Sequence, residues 1–248
     1  MKKKLLLWAC VWAILLFGAA AWAQDFYVIP VPAGVGTRIN SLPYIVTAPG
    51  FYYLGGDLTS TGTGITVNAD NVTIELMGFS LVGPATGSYV GILLDGRNNV
   101  EVRNGTVRGF PGDGIVATLA GHNFRIISIR MEYNGSRGIH VVGSNHLVHN
   151  CNSYHNGTGI SLSGNGFMVT NNVVGSNTSD GIYCTGSGHS LIGNVVTDNG
   201  GYGFAISGAC TSCPYLLDRN TAYHNTAGTL NGIPILAKFG INAGVGWP

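Results

Sequence analysis

Three consecutive stretches decide the fold: GIHVVGSNHLVHNCNSYHNGT (residues 138–158), GISLSGNGFMVTNNVVGSNTSD (159–180) and GIYCTGSGHSLIGNVVTDNGGY (181–202). Each opens on Gly plus a large apolar residue or Ile, and each repeats the last after about 21 or 22 residues. Self-similarity at a period between 20 and 50 residues is the mark of a solenoid. Working outward, the same opening recurs at Gly64, Gly91, Gly114 and Gly203.

Alternation inside each repeat shows what faces inward. The residue after each opening Gly is Ile65, Ile92, Ile115, Ile139, Ile160, Ile182 or Phe204. Two positions on come Val67, Leu94, Ala117, Val141, Leu162, Cys184 and Ile206. Period-2 spacing places both columns on one side of a strand. A second strand supplies Val102, Ile126, Val148, Val169, Leu191 and Leu217, and a third supplies Val107, Met131, Ser153, Val174, Val196 and Ala222. Three short strands per turn, each stacked on its copy in the next turn, predict an all-β parallel β-helix of about seven coils. Two polar columns sit at the turns: Cys151, Asn172, Asn194 and Asn220, and Asn134, Asn156, Asn177, Asn199 and Asn225. Stacked Asn side chains can hydrogen-bond along the axis, and Asn also tolerates the left-handed backbone of a sharp corner.

The flanks divide the chain. Residues 1–23 read as a signal peptide: Lys2, Lys3 and Lys4, then the apolar run from Leu5 to Ala20, then Ala21-Trp22-Ala23 as the cleavage motif. Residues 24–63 are expected to form an N-terminal cap that covers the first strand edge. Residues 64–225 carry the repeats, and 226–248 a closing coil and C-terminal cap. No other stretch reaches the ~18 apolar residues of a membrane helix, so the expectation is a secreted, periplasmic or cell-surface protein.

Charge is sparse, at 9% of residues, beside 39 glycines. Without the three signal lysines, nine Lys+Arg face eleven Asp+Glu, a net charge of about −2. A nucleic-acid partner would need a basic patch, and none is seen. In register, Glu75 falls beside Arg103, Glu101 beside Arg125, Arg108 beside Glu132, Asp113 beside Arg137, and Asp70 near Arg97. These read as solubility and register devices. Asp180, Asp198 and Asp218 have no Lys or Arg in the adjacent column. Cys151 and Cys184 occupy inward columns and are expected to stay reduced, while Cys210 and Cys213, in an inserted loop of an exported chain, are expected to form a disulfide. His146 and His189 begin second strands in the column of Val100, Phe124 and Phe167, where core packing is expected. No metal site or cofactor is expected.

The coil pattern resembles the right-handed parallel β-helix repeat proteins, with DNVTIELMGFSLVGP from Asp70 and NNVEVRNGTVRGF from Asn98 similar to the opening coils of exported bacterial members. The resemblance implies right-handed winding. It also implies a fold shared with pectate lyases, polygalacturonases and alginate-modifying enzymes, many relatives having no assigned activity. The polygalacturonase motifs are missing here: there is no Asp-Asp pair and no Arg-Ile-Lys, and Gly188-His189 is followed by Ser190.

Two outward rows are the candidate ligand face. The residue before each coil start reads Arg137, Thr158, Asp180, Tyr202, and the third residue of the first strand reads His140, Ser161, Tyr183. Tyrosine faces stack on sugar rings, and Asp, His, Arg and hydroxyl groups can bond sugar edges. The resemblance places the active groove of polygalacturonase-like relatives on this strand face. Asp198 and His224 share a turn column and form a weaker acid/base candidate. Three functions stay open: a carbohydrate-binding or cell-surface module, a polysaccharide lyase, hydrolase or epimerase, and a structural role. The partner class expected is a polysaccharide or oligosaccharide.

Overall fold

The computed structural model describes residues 36–207, 214–232, 237–244 and 246–247. The expected signal peptide and the Cys210–Cys213 pair lie outside those residues. The described chain is built of β-strands paired in parallel, in one nine-stranded and one seventeen-stranded sheet. The nine-stranded sheet holds the first strand of every turn, from Tyr44–Val46 to Gly228–Asn231. The other sheet holds the second and third strands. They merge because Val100–Arg108 and Arg125–Glu132 run unbroken around the bend.

The inward columns stack as the alternation predicts. Ile139 pairs with Ile160, Ile160 with Ile182 and Ile182 with Phe204, all fully buried. Val148, Val169, Leu191 and Leu217 stack in the second column, and Met131, Ser153, Val174 and Val196 in the third. Each buried Ile, Leu or Val contributes about 1.5–3 kcal/mol over an exposed one. With few charges elsewhere, this column is the main source of stability.

Stacking reaches beyond the Gly-opened coils at both ends. Tyr44 sits on Ile65, Tyr52 on Ile74 and Leu58 on Leu81, so the segment expected only to cap the edge winds as a turn of its own. It escaped the repeat because a proline and a tyrosine, Pro43-Tyr44, stand where Gly-Ile stands elsewhere. At the other end Leu230 stacks on Phe204, and Phe239 on Leu217.

The turn columns are continuous hydrogen-bond ladders. Asn177 Nδ2 donates to Asn199 Oδ1 at 2.9 Å and to the Ser153 carbonyl at 3.1 Å, while its Oδ1 accepts the Asn156 backbone N–H at 3.0 Å. The second ladder runs Cys151, Asn172, Asn194, Asn220 and on to Asn242. Cys151 Sγ donates to the Ile126 carbonyl, as Asn172 Nδ2 does to that of Val148. The ladder residues are not the left-handed ones. That conformation falls one position earlier, at Tyr133, His155, Ser176, Asp198 and His224 and at Asn150, Asn171 and Arg219 (φ 52–57 across these residues). Among the described residues no buried side-chain N or O lacks a partner.

Candidate functional site

The outward side of the nine-stranded sheet brings the predicted rows together. His140 pairs in register with Ser161, and Ser161 with Tyr183. Arg137 pairs with Thr158 in the neighbouring row. Along the third-residue row, small buried residues (Val116, Ser161, Ala205) alternate with half-buried His140 and Tyr183. Toward the N-terminal end the face is bounded by an outward bulge at Thr118–Ala120, where the pairing with the next strand skips from Ala117 to Gly121. The Asp95 carboxylate holds that bulge by accepting the backbone N–H groups of Thr118 and Leu119. Its sequence signal is the longer spacing from Gly114 to Gly138.

Asp113, placed beside Arg137 by the register but read there as a register device, belongs to this face. Its Oδ1 accepts the Arg137 backbone N–H at 2.8 Å. Its Oδ2 lies 3.2 Å from His140 Nδ1 and 3.7 Å from Arg137 Nη1. Arg137 Nη1 in turn lies 2.9 Å from His140 Nδ1. One ring nitrogen cannot donate to the carboxylate and accept from the guanidinium at once. The tautomer of His140 thus decides whether the ring is tied to Asp113 or to Arg137. Burial pushes the Asp113 carboxyl up, but hydrogen bonds from His140, Ser136 and the Arg137 backbone, with the Arg137 charge, outweigh it and hold the group below its usual value.

Asp180 has no cationic partner, as the columns predict, yet it is held. Its Oδ1 accepts the Tyr202 backbone N–H at 2.7 Å, as Asp113 does for Arg137 one group of coils earlier. Gly201 makes room, since a Cβ there would meet Asp180 Oδ1. Asp180 is thus fixed beside Tyr183 and Tyr202 rather than free to swing.

The weaker candidate pair does form. Asp198 Oδ1 lies 3.5 Å from His224 Nδ1, with Thr197 Oγ1 donating to Asp198 Oδ2 at 2.6 Å. Both residues are exposed left-handed turn positions, so although the Tyr223 ring packs edge-on to His224 at 5.1 Å, the pair is not shielded from water as a general base requires. Asp218 pairs with its chain neighbour Arg219 at 3.1 Å.

The remaining charges settle into scaffold roles. Arg103 bridges Glu75 at 2.6 Å and Glu101 at 2.7 Å, and Glu101 reaches Arg125 at 2.8 Å. Glu132 and Arg108 are in register but do not form an ion pair. Asp70 binds the backbone and side chain of Asn98 instead of pairing closely with Arg97.

His146 and His189 pack in the core, in a ring stack that runs Phe124, His146, Phe167, His189 at centroid spacings of 4.4, 5.1 and 4.6 Å. His146 Nδ1 accepts the Phe124 N–H at 3.0 Å and His189 Nδ1 that of Phe167 at 3.2 Å. Each Nε2 faces a carbonyl, of Val142 or Thr185. Burial pushes His146 down to about 4 and lowers His189 too. Cys151 and Cys184 are free and fully buried, and burial raises both thiols to about 12. Among the described residues no group of three His, Cys, Asp or Glu could hold a metal ion. No helix among them is long and apolar enough to cross a membrane.

Stacked parallel coils with buried aliphatic columns and Asn ladders define a parallel β-helix repeat protein. The family model described as "Periplasmic copper-binding protein (NosD)" matches residues 58–236, and the chain belongs to that family. Among solved structures the chain is similar to the Azotobacter vinelandii mannuronan C-5 epimerase AlgE4 A-module, at 12% identity and TM-score 0.58 over 84% of each chain. A second similar structure is the periplasmic alginate epimerase AlgG, at 12% identity and TM-score 0.44 over 82% of this chain and 77% of that one. At such identity the likeness to AlgE4 concerns the fold. No curated protein sequence matches the chain.

Proposed function

We propose that this chain works in the periplasm as a β-helix module that binds a glycan along the outward side of the nine-stranded sheet. One observation carries the reading: Arg137, His140, Ser161, Asp180, Tyr183 and Tyr202 lie on adjacent rungs of one face, with Asp180 locked in place by the Tyr202 N–H. Tyrosine rings offer stacking surfaces for pyranose faces, and the fixed carboxylate and imidazole offer edge contacts. Arg137 adds a cation suited to a uronate carboxylate. AlgE4, whose fold this chain shares, is an epimerase of mannuronan, so uronates are the first ligands to test.

Titration calorimetry with oligomers of mannuronate, guluronate and galacturonate tests the reading. Tyr183→Ala and Asp180→Asn should each weaken binding about tenfold, equivalent to ~1.4 kcal/mol, with the thermal midpoint nearly unchanged. A uronate that binds both variants as well as the wild type places the site elsewhere.

A second reading, turnover of an acidic glycan by epimerisation or elimination, draws on the Asp113–His140–Arg137 cluster. A carboxylate-oriented imidazole beside a guanidinium can take a proton next to a stabilised anion. Product analysis on the same oligomers separates it from binding alone, and His140→Ala should then remove turnover.

The family's description names copper, and the described residues do not fit it. Both nitrogens of His146 and His189 face backbone partners inside the core, and the thiols of Cys151 and Cys184 are buried with raised pKa values. A copper role is therefore not part of the function proposed for these coils.

A further inference from the structure

The third-strand face carries an aromatic surface that the glycan reading above does not use. Its last outward position reads Tyr154, Gly175, Thr197, Tyr223 on four successive coils in register. Gly175 has no left-handed backbone to explain it. What it supplies is room on both sides: a Cβ at 175 would come within 2.9 Å of the Tyr154 ring edge and equally of the Thr197 carbonyl oxygen. The Tyr154 ring therefore lies down along the axis over Gly175, which is buried beneath it. Thr197, also buried, continues the floor, and Tyr223 closes the far end, 41% exposed. Three rungs at ~4.8 Å make the surface about 14 Å long. Burial under this arrangement raises the Tyr154 hydroxyl, with the charges of Tyr223 and Asp198 adding to it, as expected of groups drawn close together.

Beside it, the turn position one residue on adds Tyr133, stacked on His155 at 4.7 Å and 63% exposed, and the Asp198–His224 pair. Exposed aromatic faces of this extent are not left bare without a use. The outward third-strand positions from Asn152 to Tyr223 contain no Lys, Arg or Glu, and the charges in register with the first rung, Arg130 beside Asn152 and Glu132 beside Tyr154, mark its N-terminal edge. A charged polymer therefore gains no counter-ion between Tyr154 and Tyr223, whereas flat rings rimmed by hydroxyl, imidazole and carboxylate groups match the apolar faces and polar edges of an uncharged sugar chain.

We infer that the Tyr154–Tyr223 surface is a second binding site, for a neutral oligosaccharide laid along the helix axis, on a different face from the first-strand site. It stands on different residues from the site proposed above and does not depend on it. Asp198 and His224 then act as edge contacts for the sugar rather than as an acid/base pair.

The test is calorimetry of the protein with cellohexaose, mannohexaose and N-acetylated chitohexaose. At least one should bind. Tyr223→Ala should weaken that binding about tenfold with the unfolding midpoint kept. Gly175→Val, which removes no aromatic group but crowds the Tyr154 ring and the Thr197 carbonyl, should do the same where its unfolding midpoint is kept, and Tyr183→Ala should leave it unchanged. If Gly175→Val does not fold, Tyr223→Ala decides alone. The inference is overturned if no neutral hexasaccharide binds up to millimolar concentration, or if Tyr223→Ala binds as well as wild type. It is equally overturned if sedimentation shows a dimer that Tyr223→Ala dissolves, since the surface then belongs to a second copy of this chain.

Discussion

Acid should loosen this protein through His146, and the size of the effect follows from its place in the ring stack. The ring is 2% exposed, lies between Phe124 and Phe167, and has Nδ1 occupied by the Phe124 N–H. A proton on Nδ1 would have to displace that bond and put a charge between two phenyl rings. Burial above all, with a smaller push from the His122 charge, holds the folded value at about 4 against 6.5 for an ordinary His. The sign follows: the unfolded chain takes up the proton first, so stability is complete above pH 6.5 and is lost as pH falls from there toward 4. At one pKa unit per ~1.36 kcal/mol, the loss reaches about 2 kcal/mol at pH 5 and about 3.4 kcal/mol below pH 4. His189 pulls in the same direction, whereas Asp113, its carboxyl lowered, acts only below the usual carboxylate range. Urea unfolding at steps from pH 7.5 to 5 gives the curve. His146→Phe keeps the stack but strands the Phe124 N–H, costing about 1–3 kcal/mol at neutral pH. Its loss between pH 7.5 and 5 should shrink by about 2 kcal/mol. A variant that keeps the whole wild-type pH slope would show that His146 is not the group that titrates.

Further expectations follow from the ladders, the core and the thiols. Asn177→Ala leaves the buried Asn156 N–H and Ser153 carbonyl without partners and should cost about 2–5 kcal/mol in denaturant unfolding. Asn225→Ala, at the less buried end of the same ladder, should cost clearly less, and equal losses would contradict the ladder account. Ile160→Asp buries a lone charge in the middle of the apolar column, which costs several kcal/mol, and circular dichroism should show an unfolded chain. Cys151 and Cys184 should resist maleimide until urea is added, because burial keeps both as thiols. Mass mapping of a non-reduced digest should find Cys210 joined to Cys213.

The repeat was legible because its markers are tied to geometry. A coil start needs Gly where the next coil's carbonyl comes close, as at Gly159, where a Cβ would meet the Gly181 carbonyl oxygen at 2.6 Å. The turn built by Tyr44–Thr59 carries no such marker, so alternation alone had to speak for it and did not. The register of the two outward rows was also legible, since register needs only counting. What counting could not show is the diagonal contact from Asp113 to His140, which crosses between rows and between coils. Nor could it show why His alternates with Phe in the second-strand column. The column was visible, but the choice of His depends on each ring nitrogen meeting a backbone N–H or carbonyl. The left-handed corner residue was misplaced by one position for a similar reason: Asn suits both the ladder and the bend, and only the backbone separates the two uses.

The central claim, a glycan site on the first-strand face, is tested most directly by where a bound ligand is felt. Backbone amide resonances of the protein would be followed during titration with a uronate hexamer. The account predicts that the amides of His140, Ser161, Asp180, Tyr183 and Tyr202 shift together and saturate at one concentration, while those of Tyr154, Gly175 and Tyr223 stay still. Shifts confined to other faces, or no shift at saturating uronate, would contradict it.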